Sequence, residues 1–349
     1  MESERIQKKL NHIDYEILKI INERLELVLR SKTLEVSPQE NNILARLKTF
    51  CESHKLLSEI FTGEILRTIM SESHRLQQER MRLIGFQGEH GAFGEVAARN
   101  YDQDLIPVPC PQFSDVFEGV ERGEFELGIV PVQNSLGGAV NQVNELLLET
   151  ELRVVGAIKL RINHCLLAHP DTDYRGIASV FSHPQALSQC QDFLKKHNLE
   201  PRPYYDTAGA ARMLAKENPH MAAAIASRLC AQLYNLEIIK ENIEDHEANI
   251  TRFLILAKEE DREGMNKCSI IFSTPHKAGA LFAVLKIFAD DEVNLTRIES
   301  FPNRKDPGQY VFFLDFQIPD IDGDAGVLLE KVKSTTVMFK YLGCYREDM

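Results

Sequence analysis

The sequence predicts a multidomain chain of α and α/β architecture. An all-helical segment covers residues 1–81, a two-lobed α/β segment 82–260 and a ferredoxin-like βαββαβ segment 266–349. Three observations predict it. Apolar residues near the N-terminus recur at helical spacing with no strand-like run among them. From Arg82 onward short apolar runs alternate with helical stretches, the pattern of α/β folds. Beyond a charged, unpatterned run from Lys258 to Lys267, strands and helices recur in a different order. A length of 349 residues also exceeds what one core supports, so two or three domains are expected.

Composition narrows the function classes. Charged residues make up 26% and hydrophobic ones 44%, the balance of a soluble globular chain. A formal net charge of -12 argues against nucleic-acid binding, which needs a basic face. No apolar stretch reaches membrane-span length, and the first residues are charged and amphipathic rather than a signal-peptide core. A cytoplasmic protein with no membrane partner is expected. The seven cysteines are scattered and include no C-x-x-C pair, which predicts free, mostly buried thiols. His164 and Cys165 are neighbours, but adjacent strand residues point to opposite faces and make poor joint ligands. No metal site is predicted.

In the first segment Ile6, Leu10, Ile13, Ile17, Ile20 and Leu27 follow a 4-3-4-3-7 spacing, which predicts one amphipathic helix with heptad character. Running to about Leu34, it would measure roughly 40–45 Å at 1.5 Å per residue. Pro38 ends it. A second helix is predicted over about Gln39 to Cys51 and a third over about His54 to Gln78, with Leu57, Ile60, Phe61, Ile65, Ile69 and Leu76 inward. So long a stripe cannot be buried within this segment alone, so a partner copy is expected, giving a homodimer or a tetramer.

Helix order, lengths and position resemble the small helical chorismate mutase domain that precedes prephenate dehydratase in bifunctional P-proteins. That domain grips a dicarboxylate in a cage of cations. The resemblance assigns Arg24 as its mid-helix arginine, Glu40 as its helix-two glutamate, and Ser73 and Gln77 as its helix-three pair. Its early arginine falls on Gln7, its lysine on Glu35 and its helix-two arginine on Gln39. Losing one partner of a buried charge pair costs about 2–5 kcal/mol. A mutase-like fold with weak or absent mutase activity is therefore expected. Lys32 and Arg5 lie close enough for a register shift to restore part of the cage.

Four strand-to-helix junctions organise the middle segment. Leu83 to Phe86 leads into Gly88-Glu89-His90-Gly91-Ala92-Phe93-Gly94, and Glu126 to Val130 into Pro131-Val132-Gln133-Asn134-Ser135-Leu136-Gly137-Gly138. Ile177 to Phe181 leads into Ser182-His183-Pro184-Gln185, with Pro184 suited to a first helical turn. Tyr204-Tyr205 leads into Asp206-Thr207, either of which can cap a helix. Each junction offers backbone N–H groups to an anion. Gly88, Gly91 and Gly94 space as G-x-x-G-x-x-G, which is not the dinucleotide fingerprint, and no G-x-x-x-x-G-K-[ST] occurs, so phosphate cofactors are disfavoured. A cleft for a small dianion is expected; a non-catalytic solute-binding module is the alternative. Downstream, Asn249-Ile250-Thr251-Arg252-Phe253 opens the apolar run Leu254 to Ala257, which reads as a buried strand.

Taken in order, Gly-x-x-Gly, Pro-x-x-Asn-Ser, Ser-His-Pro-Gln, a Thr-Ala helix, Ala223 to Ser227 and Thr-Arg-Phe resemble prephenate dehydratase. That family folds as two lobes, similar to periplasmic binding proteins, with the active site between them. The resemblance implies binding and catalytic roles for Asn134, Ser135, Gln185, Thr207 and Thr251, with Arg252 and Phe253 completing the motif. Gly88, Gly91 and His183 are further substrate-side candidates. Departures are Gln133 and Arg228, where the family usually has Glu, and Gly94, where it usually has Ser. The implied reaction removes CO2 and water from prephenate to form an aromatic ring, with no cofactor. Thr251 is expected to donate to the leaving oxygen. Arg252 suits either a substrate carboxylate or a structural pair with Asp245 or Glu247.

The last segment predicts strand Cys268 to Ser273, helix Ala278 to Phe288, strands Val293 to Ser300 and Tyr310 to Ile318, helix Ala325 to Lys333 and strand Met338 to Gly343. It resembles an ACT domain, the amino-acid-sensing module of biosynthetic enzymes. Gly279-Ala280-Leu281-Phe282 and Glu299-Ser300-Phe301-Pro302 match the family's two phenylalanine-pocket motifs, except that Phe301 stands where arginine is usual. L-phenylalanine is thus the expected effector. Alternatives are a fully bifunctional mutase–dehydratase, an arogenate dehydratase, and a non-catalytic phenylalanine-binding regulator.

Overall fold

The computed structural model describes residues 2–33, 40–54, 56–79, 81–170, 172–260, 264–302, 310–318 and 325–347. Two compact units divide the chain, residues 1–83 with 123–125, and residues 84–122 with 126–349. The first unit carries helices α1 (Glu2–Thr33), α2 (Glu40–Ser53) and α3 (Glu59–Gln78). Glu35 and Gln39 lie outside the described residues, as do the side chains of Arg5, Lys32 and Glu40.

Helix α3 starts later than its periodicity predicts. Ser58 adopts an extended backbone and its side chain accepts from Phe61 N, so the cap rather than the apolar pattern fixes the start. Its buried face keeps the predicted Leu76 but otherwise differs: Gly63, Met70 and Ser73 are buried, while Ile60, Phe61 and Ile65 are exposed. The predicted α1 stripe, Ile6 through Leu27, is likewise exposed in the single chain.

The second unit begins with β1 (Leu83–Gln87), α4 (Phe93–Tyr101), β2 (Ile106–Cys110), α5 (Phe113–Arg122), β3 (Leu127–Asn134), β4 (Gly138–Ala139), α6 (Asn141–Glu149) and β5 (Arg153–Arg161). It continues with β6 (Cys165–Ala168), β7 (Ser179–Ser182), α7 (Pro184–Gln189), α8 (Gln191–Lys196), β8 (Glu200–Pro203), α9 (Thr207–Glu217), β9 (Ala222–Ala226), α10 (Arg228–Tyr234), β10 (Glu237–Glu241) and β11 (Ile250–Ala257). The C-terminal part holds β12 (Lys267–Ser273), α11 (Ala280–Asp290), β13 (Leu295–Pro302), β14 (Tyr310–Gln317), α12 (Gly326–Thr335) and β15 (Met338–Glu347).

Two sheets organise these elements. One runs β13-β14-β12-β15-β5-β11-β3-β1-β2, with β4 paired to β3; the other runs β10-β6-β9-β7-β8. Strand β11 sits between β3 and β5, antiparallel to both, and its Leu254, Ile255 and Leu256 are fully buried. A strand hydrogen-bonded on both edges and covered on both faces needs a continuous apolar run, which Phe253 to Ala257 supplies. The C-terminal strands join the same sheet where Arg346 and Glu347 of β15 pair in parallel with Gly156 and Ala157 of β5.

Three local predictions are corrected. Strand β3 runs on to Asn134 instead of stopping near Val130, because β11 pairs with it through a one-residue slip at Arg252/Phe253. The second junction therefore enters a β3–β4 hairpin rather than a helix N-terminus. The strand assigned to Tyr204-Tyr205 lies earlier, at Glu200–Pro203; its two prolines are tolerated because β8 is an edge. The thiol prediction also changes: Cys268 and Cys344 face each other across the β12–β15 pair and form a disulfide, while the other five cysteines are free and buried.

Where β15 meets β5, Gly343 has φ +142°, and a Cβ there would lie 2.4 Å from Val154 O. Only glycine permits this approach. Gly343→Ala is expected to destabilise the second unit by about 1–3 kcal/mol, read as a lower urea midpoint with an unchanged slope. An unchanged midpoint would show that the junction tolerates a side chain.

Candidate active site

A cavity of about 410 Å³ collects residues from all four predicted junctions and from β11. Asn134, His183, Gln185, Thr207, Thr251 and Phe253 of the predicted set line it. Ser135, Gly88, Gly91 and Arg252 do not, and each has another task.

Asn134 is the hub. Its Oδ1 accepts from Leu136 N at 3.0 Å and Gly137 N at 2.7 Å, which folds the hairpin over it. Its Nδ2 donates to Thr251 Oγ1 at 2.9 Å and to Asn249 Oδ1 at 2.8 Å. Thr251, 8% exposed, thus receives a hydrogen bond on its oxygen. Among the described residues no protein group accepts its proton, which is left for whatever occupies the cavity. The loop N–H groups predicted to bind an anion are largely spent on Asn134 itself.

Ser135 ties the hairpin to the strand. Its Oγ donates to Ala248 O at 2.5 Å and accepts from Ile250 N at 3.0 Å. The two glycines serve packing. Gly88 has φ +116°, and Gly91, at φ +91°, would place a Cβ 2.5 Å from Cys230 Sγ. Their loop presents Gln87, Ala92, Phe93 and Gly94 to the cavity instead.

On the opposite wall, His183 caps α7, with Nδ1 accepting from Gln185 N at 3.2 Å and Pro184 in the first turn. Asp206 caps α9 by accepting from Gly209 N at 2.7 Å, so Thr207 is held at the first helical position. Burial raises the Asp206 carboxyl above its usual range, opposed by the backbone N–H groups of Gly209 and Ala208. Burial pushes the Cys165 thiol up to about 11 and that of Cys230 to about 12, so neither is a thiolate nucleophile at neutral pH.

Sequence reasoning missed a second polar layer. Gln189 Oε1 accepts from Asn249 Nδ2 at 3.0 Å and lies 2.9 Å from His164 Nε2, which places the imidazole proton on Nε2. Burial lowers the His164 pKa, so the ring stays neutral. His164 was visible as a histidine opening a strand, but only as a metal ligand to be rejected. Among the described residues no group of three His, Cys, Asp or Glu side chains could hold a metal, and no helix is long and apolar enough to cross a membrane.

The residues from 84 to 261 match the prephenate dehydratase family. The chain belongs to that family. The family's members are lyases, and the enzyme class follows. An Arabidopsis thaliana protein named arogenate dehydratase/prephenate dehydratase 2, chloroplastic, is 36% identical over 93% of this chain and 87% of its own length. The bifunctional chorismate mutase/prephenate dehydratase of Escherichia coli K12 is 30% identical over 98% of this chain and 96% of its own. Prephenate dehydratase from Arthrobacter aurescens, solved in complex with L-Phe, superposes with a TM-score of 0.68 at 28% identity, covering 75% of this chain and 89% of that one. GqqA, described as a novel type of quorum-quenching acylase, superposes at 0.70 with 30% identity, covering 76% and 98%. One fold thus carries two described activities, and the site must decide between them.

Within this prephenate dehydratase scaffold, Arg252 points away from the cleft. It pairs with Asp315 and Glu347 and donates to Tyr345 Oη at 2.7 Å, all buried. Its protein partners are therefore Asp315, Glu347 and Tyr345 rather than Asp245 or Glu247. The sequence offered no sign of them, being 63, 95 and 93 residues away. Burial disfavours its charge, but Asp315 and the neighbouring groups hold its pKa above the usual value. Burial also opposes the Glu347 charge, yet Arg252 and Lys267 bring its pKa from 4.5 to about 2.

In the first unit, Arg24 Nη1 donates to Ser73 Oγ at 2.6 Å, and Gln77 lies one turn beyond Ser73 on α3. Gln7 is exposed and bonds Asn11 at 3.0 Å. In the C-terminal part Gly279 caps α11 at φ +79°, Ala280 is buried, Leu281 packs on the core and Phe282 is exposed. Glu299 pairs with Arg297, whereas Ser300 points to the other face of β13 and is exposed.

Removing one partner of a buried ion pair costs about 3–5 kcal/mol, so Arg252→Gln is expected to lose that much stability in urea unfolding. KM of the folded fraction should stay unchanged, while a raised KM with intact stability would return Arg252 to the substrate. Because the folded-state pKa of Glu347 is depressed, its contribution is complete above pH 4.5 and fades as pH falls toward 2. Glu347→Gln should lower the melting temperature at pH 7 and flatten its decline between those values.

Proposed function

We propose that this enzyme is a prephenate dehydratase that converts prephenate to phenylpyruvate, CO2 and water for phenylalanine biosynthesis. The observation that carries this reading is the Thr251 hydroxyl, which lines a small cavity, accepts from Asn134 and has no protein acceptor for its own proton among the described residues. Prephenate holds a ring carboxylate opposite a ring hydroxyl. As the C–CO2 bond breaks, its electron pair enters the ring and expels hydroxide, which takes a proton from solvent to leave as water, and aromatisation supplies the driving force. Thr251 donates a hydrogen bond to the departing oxygen. A threonine is too weak an acid to give up its proton outright, so its role is stabilisation of developing charge.

No lysine or arginine lines the cavity among the described residues. The dianion is held by neutral donors from Gln185, Thr207 and His183, beside the Asp206 carboxyl, whose pKa burial raises. The ring carboxylate leaves toward Phe113, Ile129 and Phe253, where apolar walls favour neutral CO2 over the anion. Gln133 and Gly94 in place of the family's usual residues change rate more than reaction class.

The wider reading assigns residues 1–81 as a chorismate-mutase-like domain with weak or absent activity, 82–260 as the dehydratase and 266–349 as an ACT domain sensing L-phenylalanine. The exposed α1 stripe supports a homodimer, and the location proposed is cytoplasmic. Arogenate, which carries an amino group where prephenate has a keto group, is the second substrate reading, favoured by the names of the plant relatives.

Incubation with prephenate, arogenate and chorismate in parallel separates these readings. Phenylpyruvate from prephenate, with little chorismate turnover, is expected; phenylalanine formed faster from arogenate would reassign the substrate. Thr251→Val should lower kcat by about 10²–10³ with its circular dichroism unchanged. A fully active variant would remove Thr251 from the mechanism.

A further inference from the structure

The cavity in front of β11 has a charge balance that the removal of CO2 and water does not require. Among the described residues that line it none is lysine or arginine, and Asp206 alone is an acid. A second carboxylate nearby, Glu89, is answered where it stands, by Arg212 Nη1 at 2.7 Å and Tyr205 Oη at 2.9 Å. Asp206 has no such cation. Its partners are backbone groups: Gly209 N donates to Oδ1 at 2.7 Å, and the Ala208 N–H is a second donor. Burial disfavours its charge and Glu89 adds to that effect, while His183 opposes it. Capping alone does not account for an acid here. Ser, Thr or Asn closes a first helical turn as Asp does, without placing an anion beside an anionic substrate.

Position supplies the rest. Thr251 stands on β11, whereas Asp206 opens α9 on the opposite wall of the same cavity. In the substrate ring the departing hydroxyl and the carbon that bears the side chain lie across from each other. A ring whose hydroxyl meets Thr251 therefore directs its side chain toward the wall of Asp206. We propose that Asp206 is the specificity-determining residue of this cleft, its carboxylate pairing with the α-ammonium group of arogenate, so that the enzyme accepts this amino acid beside its keto counterpart, prephenate. The proposal rests on the dehydratase reading and adds to it the group that reads the side chain. An ammonium brings the counter-charge that the protein omits, and its N–H groups make charge-assisted hydrogen bonds to a carboxylate. Each carboxylate oxygen has two acceptor sites, so the cap does not exhaust Asp206. The keto oxygen of prephenate offers it neither a charge nor a donor.

Asp206→Asn tests this, because Asn caps a helix as well as Asp and keeps the shape without the charge. The full-length wild type and variant are assayed on arogenate and on prephenate, and the wild type is expected to turn over both. In Asp206→Asn, kcat/KM for arogenate should fall about thirtyfold or more, chiefly through KM, while that for prephenate should rise about threefold as a like charge is removed. A residue that only closed α9 would lower both alike. Asp206→Ser, a second cap-forming variant, should shift the ratio in the same direction and stands in if the first fails to fold. The assignment is overturned by a wild type that uses only one of the two substrates, by parallel losses for both, or by an unchanged ratio in the folded variants. Prephenate turnover by the wild type in any of these cases leaves the dehydratase reading standing. A wild type active on neither substrate would overturn that reading, and this assignment with it.

Discussion

Strand β11 alternates its side chains between two environments that cannot be exchanged. Thr251 and Phe253 face the cleft; Arg252, between them, faces the buried carboxylates of Asp315 and Glu347. A two-residue period makes this automatic, and a slip of one residue would place a guanidinium in the substrate cavity and a hydroxyl against two buried anions. The ion pairs therefore fix the register in which the hydroxyl faces the cavity. On this proposal Arg252 supports the site and does not touch the substrate. In the same way, Gly343 lets β15 approach β5 closely enough for Glu347 to reach Arg252.

The cleft itself is built from amides more than from charges. Asn134 closes its own hairpin, orients Thr251 and connects through Asn249 and Gln189 to a neutral His164. Amides can donate and accept at once, so a chain of them orients the Thr251 oxygen and the His164 imidazole without adding net charge to the cleft. In the proposed reaction such preorganised dipoles help hydroxide depart, and the substrate's own aromatisation provides the remaining driving force.

Much of this was legible in the residues. Helical spacing located α1, Pro184 and Asp206 marked the starts of α7 and α9, and the apolar run after Thr251 gave a buried strand. Cleft residues with local signatures, such as Asn134 before its turn, could be named in advance. What the sequence withheld was long-range. The partners of Arg252 lie in another part of the chain, and the opposition of Cys268 to Cys344 depends on sheet register. At the start of α3 a serine cap outweighs apolar periodicity, and Gly88 and Gly91, substrate-side candidates by resemblance, sit outside the cavity lining at positive φ in close contact with neighbouring side chains.

A crystal structure with a non-reactive prephenate analogue that retains the ring hydroxyl addresses the central claim most directly. Thr251 Oγ1 should lie within hydrogen-bonding distance of that hydroxyl, with Asn134 still donating to Thr251 and Arg252 still paired to Asp315 and Glu347. An analogue whose hydroxyl lies beyond reach of Thr251, or whose carboxylate has drawn Arg252 into the cleft, would contradict the account.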